Sequence, residues 1–140
     1  MVTEATGRAI VNTRAGGRCE LCGAPGTNIH HRRKRSQGGR WDPSNLLRLC
    51  GSGTTGCHGR IEVRPKVSHR LGLWLTSGDP APAEAPVVAH PSGLWLGWWQ
   101  PADDGTWVEV RELDAGDVFA YGVITTPADS AATDPQPWTP

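Results

Sequence analysis

Cys19 and Cys22, the adjacent His30 and His31, Asn45, Cys50, Cys57 and His58 carry most of the reactive side chains in this 140-residue chain. Thiolates and imidazoles are the groups that borderline-soft divalent ions such as zinc select, and an all-cysteine tetrahedral site needs two close pairs folded together. All four cysteines of the chain lie in this stretch, the pairs about thirty residues apart with the histidines between and beside them. A lone Cys-x-x-Cys is a weak signal; two pairs in this setting are a strong one. No apolar run approaches the ~20 residues needed to span a bilayer, and the N-terminal stretch lacks a signal-peptide core. A cytoplasmic chain is therefore expected (host cytoplasm if viral), with no membrane partner. In that compartment thiols stay reduced, which favours a metal over two disulfides.

The ordered segments CELCG (19–23), NIHHRRKRSQGG (28–39), NLLRLC (45–50) and CHGRIE (57–62) resemble the HNH endonuclease family in its zinc-stapled, bacteriophage-type form. The resemblance spans Cys19 to Glu62. It implies a ββα-metal fold, two strands and a helix around one catalytic divalent ion (Mg2+, Mn2+, Ni2+ or another). It also implies that Cys19, Cys22, Cys50 and Cys57 hold a structural Zn2+, that His30 and His58 bind the catalytic ion, and that His31 is the general base. Asn45 would orient that base or stabilise its loop; capping a turn after Pro43 is the plainer alternative. The chemistry is coherent: phosphodiester hydrolysis needs water activated near neutral pH, where histidine titrates, and a cation to offset charge on the phosphate and the leaving oxygen. Two departures stand out. Six residues, three of them glycine, separate Cys50 from Cys57, where the second pair is usually closer. The ion's third ligand is also unassigned. Some relatives place a histidine further along the helix; Glu62 stands four residues after His58, on the same helix face, and could ligate. His69 is too far along, and His90 has no supporting context.

The zero net charge hides a polarity. Residues 1–70 hold 13 Lys/Arg against four acids, whereas residues 71–140 hold Arg111 against ten. A basic half favours a polyanion. Arg32, Arg33, Lys34 and Arg35, with Arg40, follow the histidine pair and are expected along a nucleic-acid backbone, giving affinity without sequence choice. The expected partner is DNA, with phage terminase subunits suggested by the resemblance, and the chain a monomer or homodimer. The rival expectation is a zinc-stapled nucleic-acid-binding module without catalysis.

Elements must position these groups. Glu4 to Ala15 reads as a helix ended by Gly16-Gly17, Thr27 to His31 and Leu46 to Cys50 as short strands, and Arg32 to Asn45 as a loop. His58 to Leu71 reads as a helix kinked near Pro65. Adjacent residues on a strand point to opposite faces, so His30 and His31 share one phosphate only if a twist or bulge re-aims them. Past Gly72, the aromatic runs Leu94–Trp99 and Thr106–Val110 flank Asp103-Asp104-Gly105 and suggest a hairpin; Asp117 to Ile124 reads as a further strand. Five of the seven tryptophans fall between Trp74 and Trp107, and their acidic surroundings favour a small core or a protein-docking surface over a base-stacking platform. The expected fold class is thus small α+β: a ββα-metal (HNH) motif with zinc knuckles over residues 1–71, an acidic Trp-rich β-hairpin region over 72–124, and a disordered tail over 125–140.

Overall fold

The computed structural model of the protein describes residues 1–127; the tail expected from residue 125 lies outside the described residues beyond Pro127. The described residues are α+β, with two small antiparallel sheets and four α-helices.

Helix α1 (Glu4–Ala15) begins where the Thr3 hydroxyl accepts from the Thr6 amide and ends at Gly16 in the left-handed conformation, the usual pairing of a hydroxyl N-cap with a glycine stop. Strands β1 (Asn28–His31) and β2 (Leu46–Leu49) pair antiparallel, with His30 opposite Leu47 and His31 opposite Leu46. Between them the basic loop folds through short 3-10 turns at Arg35–Gln37 and Pro43–Asn45. Helix α2 (Gly56–Val63) follows and breaks at Arg64, and α3 (Pro65–Arg70) restarts with proline at its first position, where the missing N–H costs nothing. Arg14 of α1 binds both oxygens of the buried Glu20 carboxylate at 2.7 Å and donates to the Pro43 and Leu46 carbonyls. The helix is thereby fixed to the β1–β2 layer.

The C-terminal half forms a three-stranded sheet, β3 (Val87–Ala89), β4 (Gly97–Pro101) and β5 (Trp107–Arg111), in that spatial order. The expected hairpin is β4–β5, with a bulge at Trp98/Trp99. β3 has no counterpart among the expected strands, because three apolar residues inside a Pro/Ala stretch give too short a period. Residues 117–124 are not a strand. They belong to helix α4 (Ala115–Thr125), opened by a capping box between Asp114 and Asp117. The β-branched and aromatic content suggested strand, but Asp-x-x-Asp satisfies two amides at a helix start, and Asp117, Ala120 and Ile124 then share one buried face.

Cys19, Leu47, Leu49, Cys57 and Ile61 form one buried cluster with Leu73, Val87, Val88, Trp98, Trp99 and Ile124. The core is therefore continuous across residue 71, and the acidic half packs on the basic half. Tyr121 donates to the Leu21 carbonyl at 2.6 Å, and the His90 amide to that of Glu20 at 2.7 Å. Trp98 and Trp99 are buried, and Trp98 Nε1 donates to Asp117 at 2.9 Å. Burial pushes the Asp117 carboxyl up, but bonds from Trp98, the Asp114 amide, Arg70 and Arg111 outweigh it and hold the group down at about 2. Trp95 alone of the five clustered tryptophans is more than half exposed, at 51%. None of the described helices is long and apolar enough to cross a membrane.

Candidate metal centres

The four cysteine sulfurs converge: Cys19, Cys22, Cys50 and Cys57 place their Sγ atoms within 4.8 Å of one another, and all four are free thiols. The Cys22 amide donates to Cys19 Sγ at 3.4 Å and the Cys57 amide to Cys50 Sγ at 3.3 Å. Such N–H···S contacts stabilise charge on a thiolate. The six-residue spacer closes because Gly51 and Gly56, both at positive φ, pass each other too closely for side chains. A Cβ on Gly51 would lie 2.0 Å from the Thr55 oxygen, and one on Gly56 2.6 Å from the Gly51 Cα. Protonation is divided unevenly. The Cys57 thiol brings Cys19 down to about 4, while its bond to Cys19, together with burial, pushes Cys57 up. Burial pushes Cys22 up to about 11. Four half-buried and buried sulfurs cannot all ionise without a cation among them, and a divalent ion supplies that charge. The set could hold a zinc ion; closed by four thiolates, it would leave no position for water.

A second group gathers on the other side of α2. His30, His58 and Glu62 each present one ligand atom, again within 4.8 Å of one another. His30 Nδ1 and His58 Nε2 both lie 3.7 Å from Glu62 Oε2. Each imidazole is oriented from behind: His30 Nε2 meets the Leu73 carbonyl at 2.7 Å, and His58 Nδ1 meets Asn28 Oδ1 at 3.0 Å. Both acceptors require the outer nitrogen to carry the proton, so the inner nitrogens keep their lone pairs for a cation, the outer-sphere arrangement common to histidine ligands. Burial is the main force keeping both rings neutral, bringing His30 down to about 3 and lowering His58 as well. The His30 side chain is 1% exposed, but His58 is 14% and Glu62 23% exposed. Three candidate ligands, two of them partly exposed, differ from the four-cysteine set: an ion held by three side chains would keep a coordination position open. Lys34 Nζ donates to both Glu62 oxygens and lies 4.7 Å from the centre of the Trp74 ring.

The regular β1–β2 register sends the two adjacent histidines to opposite faces. His31 stands outside the His30–His58–Glu62 group and packs edge-to-face against Trp41, ring centres 4.4 Å apart, with Nε2 buried and unbonded. Burial and the nearby charges of Arg35, Arg8 and Lys34 lower it to about 4, so the ring is neutral near pH 7. Asn45 braces the basic loop: its Oδ1 accepts from the Arg33 amide at 2.8 Å, and its Nδ2 donates to the Arg33 and Arg40 carbonyls.

The basic run does not act as a unit. Arg32, expected on a nucleic-acid backbone, is 0% exposed and bound to five main-chain carbonyls, so it is withdrawn from any polyanion. Arg33 turns Nη2 to the carbonyls of Thr76, Asp79 and Pro80, with Nε buried and unbonded, and Lys34 faces Glu62. Arg35 and Arg40 are exposed, Arg40 pairing with Asp42 at 3.2 Å. Arg8 of α1, outside the expected set, lies 4.8 Å from the Trp41 ring centre, with Arg35 at 5.6 Å. Sequence reasoning also missed the Asn28 and Leu73 acceptors, which no local pattern signals. His69 is exposed and bonded to Asp79. No protein-family model, curated protein or solved structure matches the chain.

Proposed function

We propose that the chain is a metal-dependent nuclease of the HNH kind that hydrolyses DNA phosphodiester bonds. The observation carrying this reading is the open His30–His58–Glu62 group, its ring nitrogens oriented by Leu73 and Asn28. A divalent ion held there would offset charge developing on the scissile phosphate and the leaving oxygen. His30, the most buried of the three, would fix the group to β1, while His58 and Glu62 would offer their atoms from a partly exposed face of α2. His31, on the opposite face of β1 and packed on Trp41, is the proposed acceptor of the proton from the attacking water, a role that requires the ring to turn off Trp41 toward the ion. Its low basicity stems partly from Arg35, Arg8 and Lys34, and an arriving phosphate offsets those charges and makes the ring a better base. Arg35, Arg40 and Arg8 supply the exposed positive charge that holds the duplex.

The test is supercoiled plasmid incubated with zinc-loaded protein and Mg2+, Mn2+ or Ni2+, against EDTA and a His31→Ala control. Nicking is expected with metal and to fall at least about 100-fold in His31→Ala, the usual scale of a general base. Imidazole ligands favour Ni2+ over Mg2+, so Ni2+ is expected to support the faster reaction at equal concentration. Duplex binding without cleavage under every metal condition would instead assign the chain to the non-catalytic binding modules. The loop makes a separate prediction: Arg35→Ala with Arg40→Ala weakens duplex binding at low salt and reduces the slope of log affinity against log salt by roughly one per lost contact. An unchanged slope would remove these two residues from the interface.

A further inference from the structure

Lys34 is the one member of the basic run whose charge is turned on the candidate ion site. His30 and Arg32 are buried and Lys34 is partly buried, its side chain 30% exposed. His30 enters the ligand group, Arg32 the core, and Lys34 the Glu62 carboxylate, donating to both of its oxygens. The ammonium is caged on a second side by the face of Trp74, 4.7 Å away, a placement that cation–π attraction favours. His30 Nδ1 and His58 Nε2 stand 3.7 Å from the same carboxylate, beyond hydrogen-bond reach. Glu62 therefore has a monovalent partner on the atoms a divalent ion would use.

We infer that Lys34 is a resident counter-cation that competes with the divalent ion for Glu62, and that DNA relieves this competition by taking the ammonium. The inference rests on the ion-binding reading of His30, His58 and Glu62. A carboxylate cannot be fully engaged by an ammonium and by a divalent ion at once, and the two cations repel. Metal entry must release Lys34, and any phosphate that captures the released side chain strengthens metal binding. By linkage, metal then strengthens DNA binding by the same factor. The device keeps the site weakly metallated until a duplex arrives.

The experiment measures Mn2+ affinity by electron paramagnetic resonance on zinc-loaded protein, with no turnover involved. Lys34→Met is expected to bind Mn2+ about tenfold more tightly than the parent, Lys34→Arg no more tightly than the parent, and Glu62→Gln more weakly. A Lys34→Met affinity equal to or below the parent's, with Glu62→Gln still weakened, overturns the role of Lys34 and leaves the ligand set standing. Mn2+ binding indifferent to both Glu62→Gln and His58→Ala overturns the ligand set and this inference together. A short duplex added in a His31→Ala background should tighten Mn2+ binding, and the effect should shrink severalfold when Lys34→Met is combined. An undiminished effect overturns the coupling. Lys34→Gln serves as the second cation-free variant if Lys34→Met does not fold.

Discussion

Stripping zinc with a strong chelator, or replacing Cys57 with serine, is expected to abolish the cooperative thermal unfolding transition. The magnitudes decide this. Zinc held by structural sites contributes roughly 10–16 kcal/mol in small zinc-finger peptides at neutral pH, whereas whole domains are stable by only about 5–15 kcal/mol. Cys19 and Cys57 are fully buried members of the core cluster. The cysteines also come from three separate elements, the turn after α1, the end of β2, and α2. Helix α2 has eight residues, Gly59 among them, too short to persist alone. Cys57 would hold the ion from the residue next to His58, with Glu62 one turn on, so loss of zinc should also scatter the second candidate group. Protons compete with the ion for thiolates, so zinc is retained at neutral pH and released as pH falls. Native mass spectrometry should find one zinc per parent chain and none in Cys57→Ser, and calorimetry should show the lost transition. A Cys57→Ser protein with the parental melting temperature and no zinc would refute the staple.

Local relations were readable in the sequence; relations across long stretches of chain were not. The cysteine pairs, the limits of α1 and the break at Pro65 depend on spacings of a few residues, and the structure places each accordingly. Glu62 as a neighbour of His58 is an i,i+4 relation and equally visible. The acceptors behind the histidines are different in kind. Leu73 lies 43 residues from His30, and Asn28 lies 30 from His58; only the folded chain brings them together. The apolar residues of α4 have strand propensity, whereas the capping box at Asp114 carries the contrary signal. The basic run was misread because its charge was treated as one patch. Arg32 is buried, Arg33 and Lys34 are partly buried and Arg35 is exposed, a division set by partners 12 to 54 residues away that no local spacing signals.

Arg32→Met and Arg32→Lys are both expected to cost about 3–5 kcal/mol of folding stability, the range seen when a buried charged network is broken. The guanidinium has five N–H donors, and each has its own carbonyl: Nε meets Gly72 at 2.9 Å, Nη1 meets Ser44 at 2.9 Å and Pro82 at 3.1 Å, and Nη2 meets Ala85 at 2.6 Å and Pro86 at 3.2 Å. Burial, with Arg14 and Arg33 nearby, lowers the group to about 9, so it remains charged at pH 7 and the carbonyl dipoles must balance it. These partners lie 12 to 54 residues further along the chain, which makes Arg32 the clamp between the β1 layer and the segment leading into β3. Methionine fills similar space but removes the guanidinium donors from all five carbonyls, of which Pro82 keeps the Ala85 amide and Gln100 Nε2. Lysine keeps the charge but offers three donors from one atom, which cannot span a planar fork. The pair of substitutions separates this role from phosphate binding: a phosphate contact tolerates lysine, whereas the clamp does not. Denaturant unfolding of zinc-loaded protein measures the loss. Parental stability in Arg32→Lys would mean that the five-carbonyl clamp does not hold the two halves together.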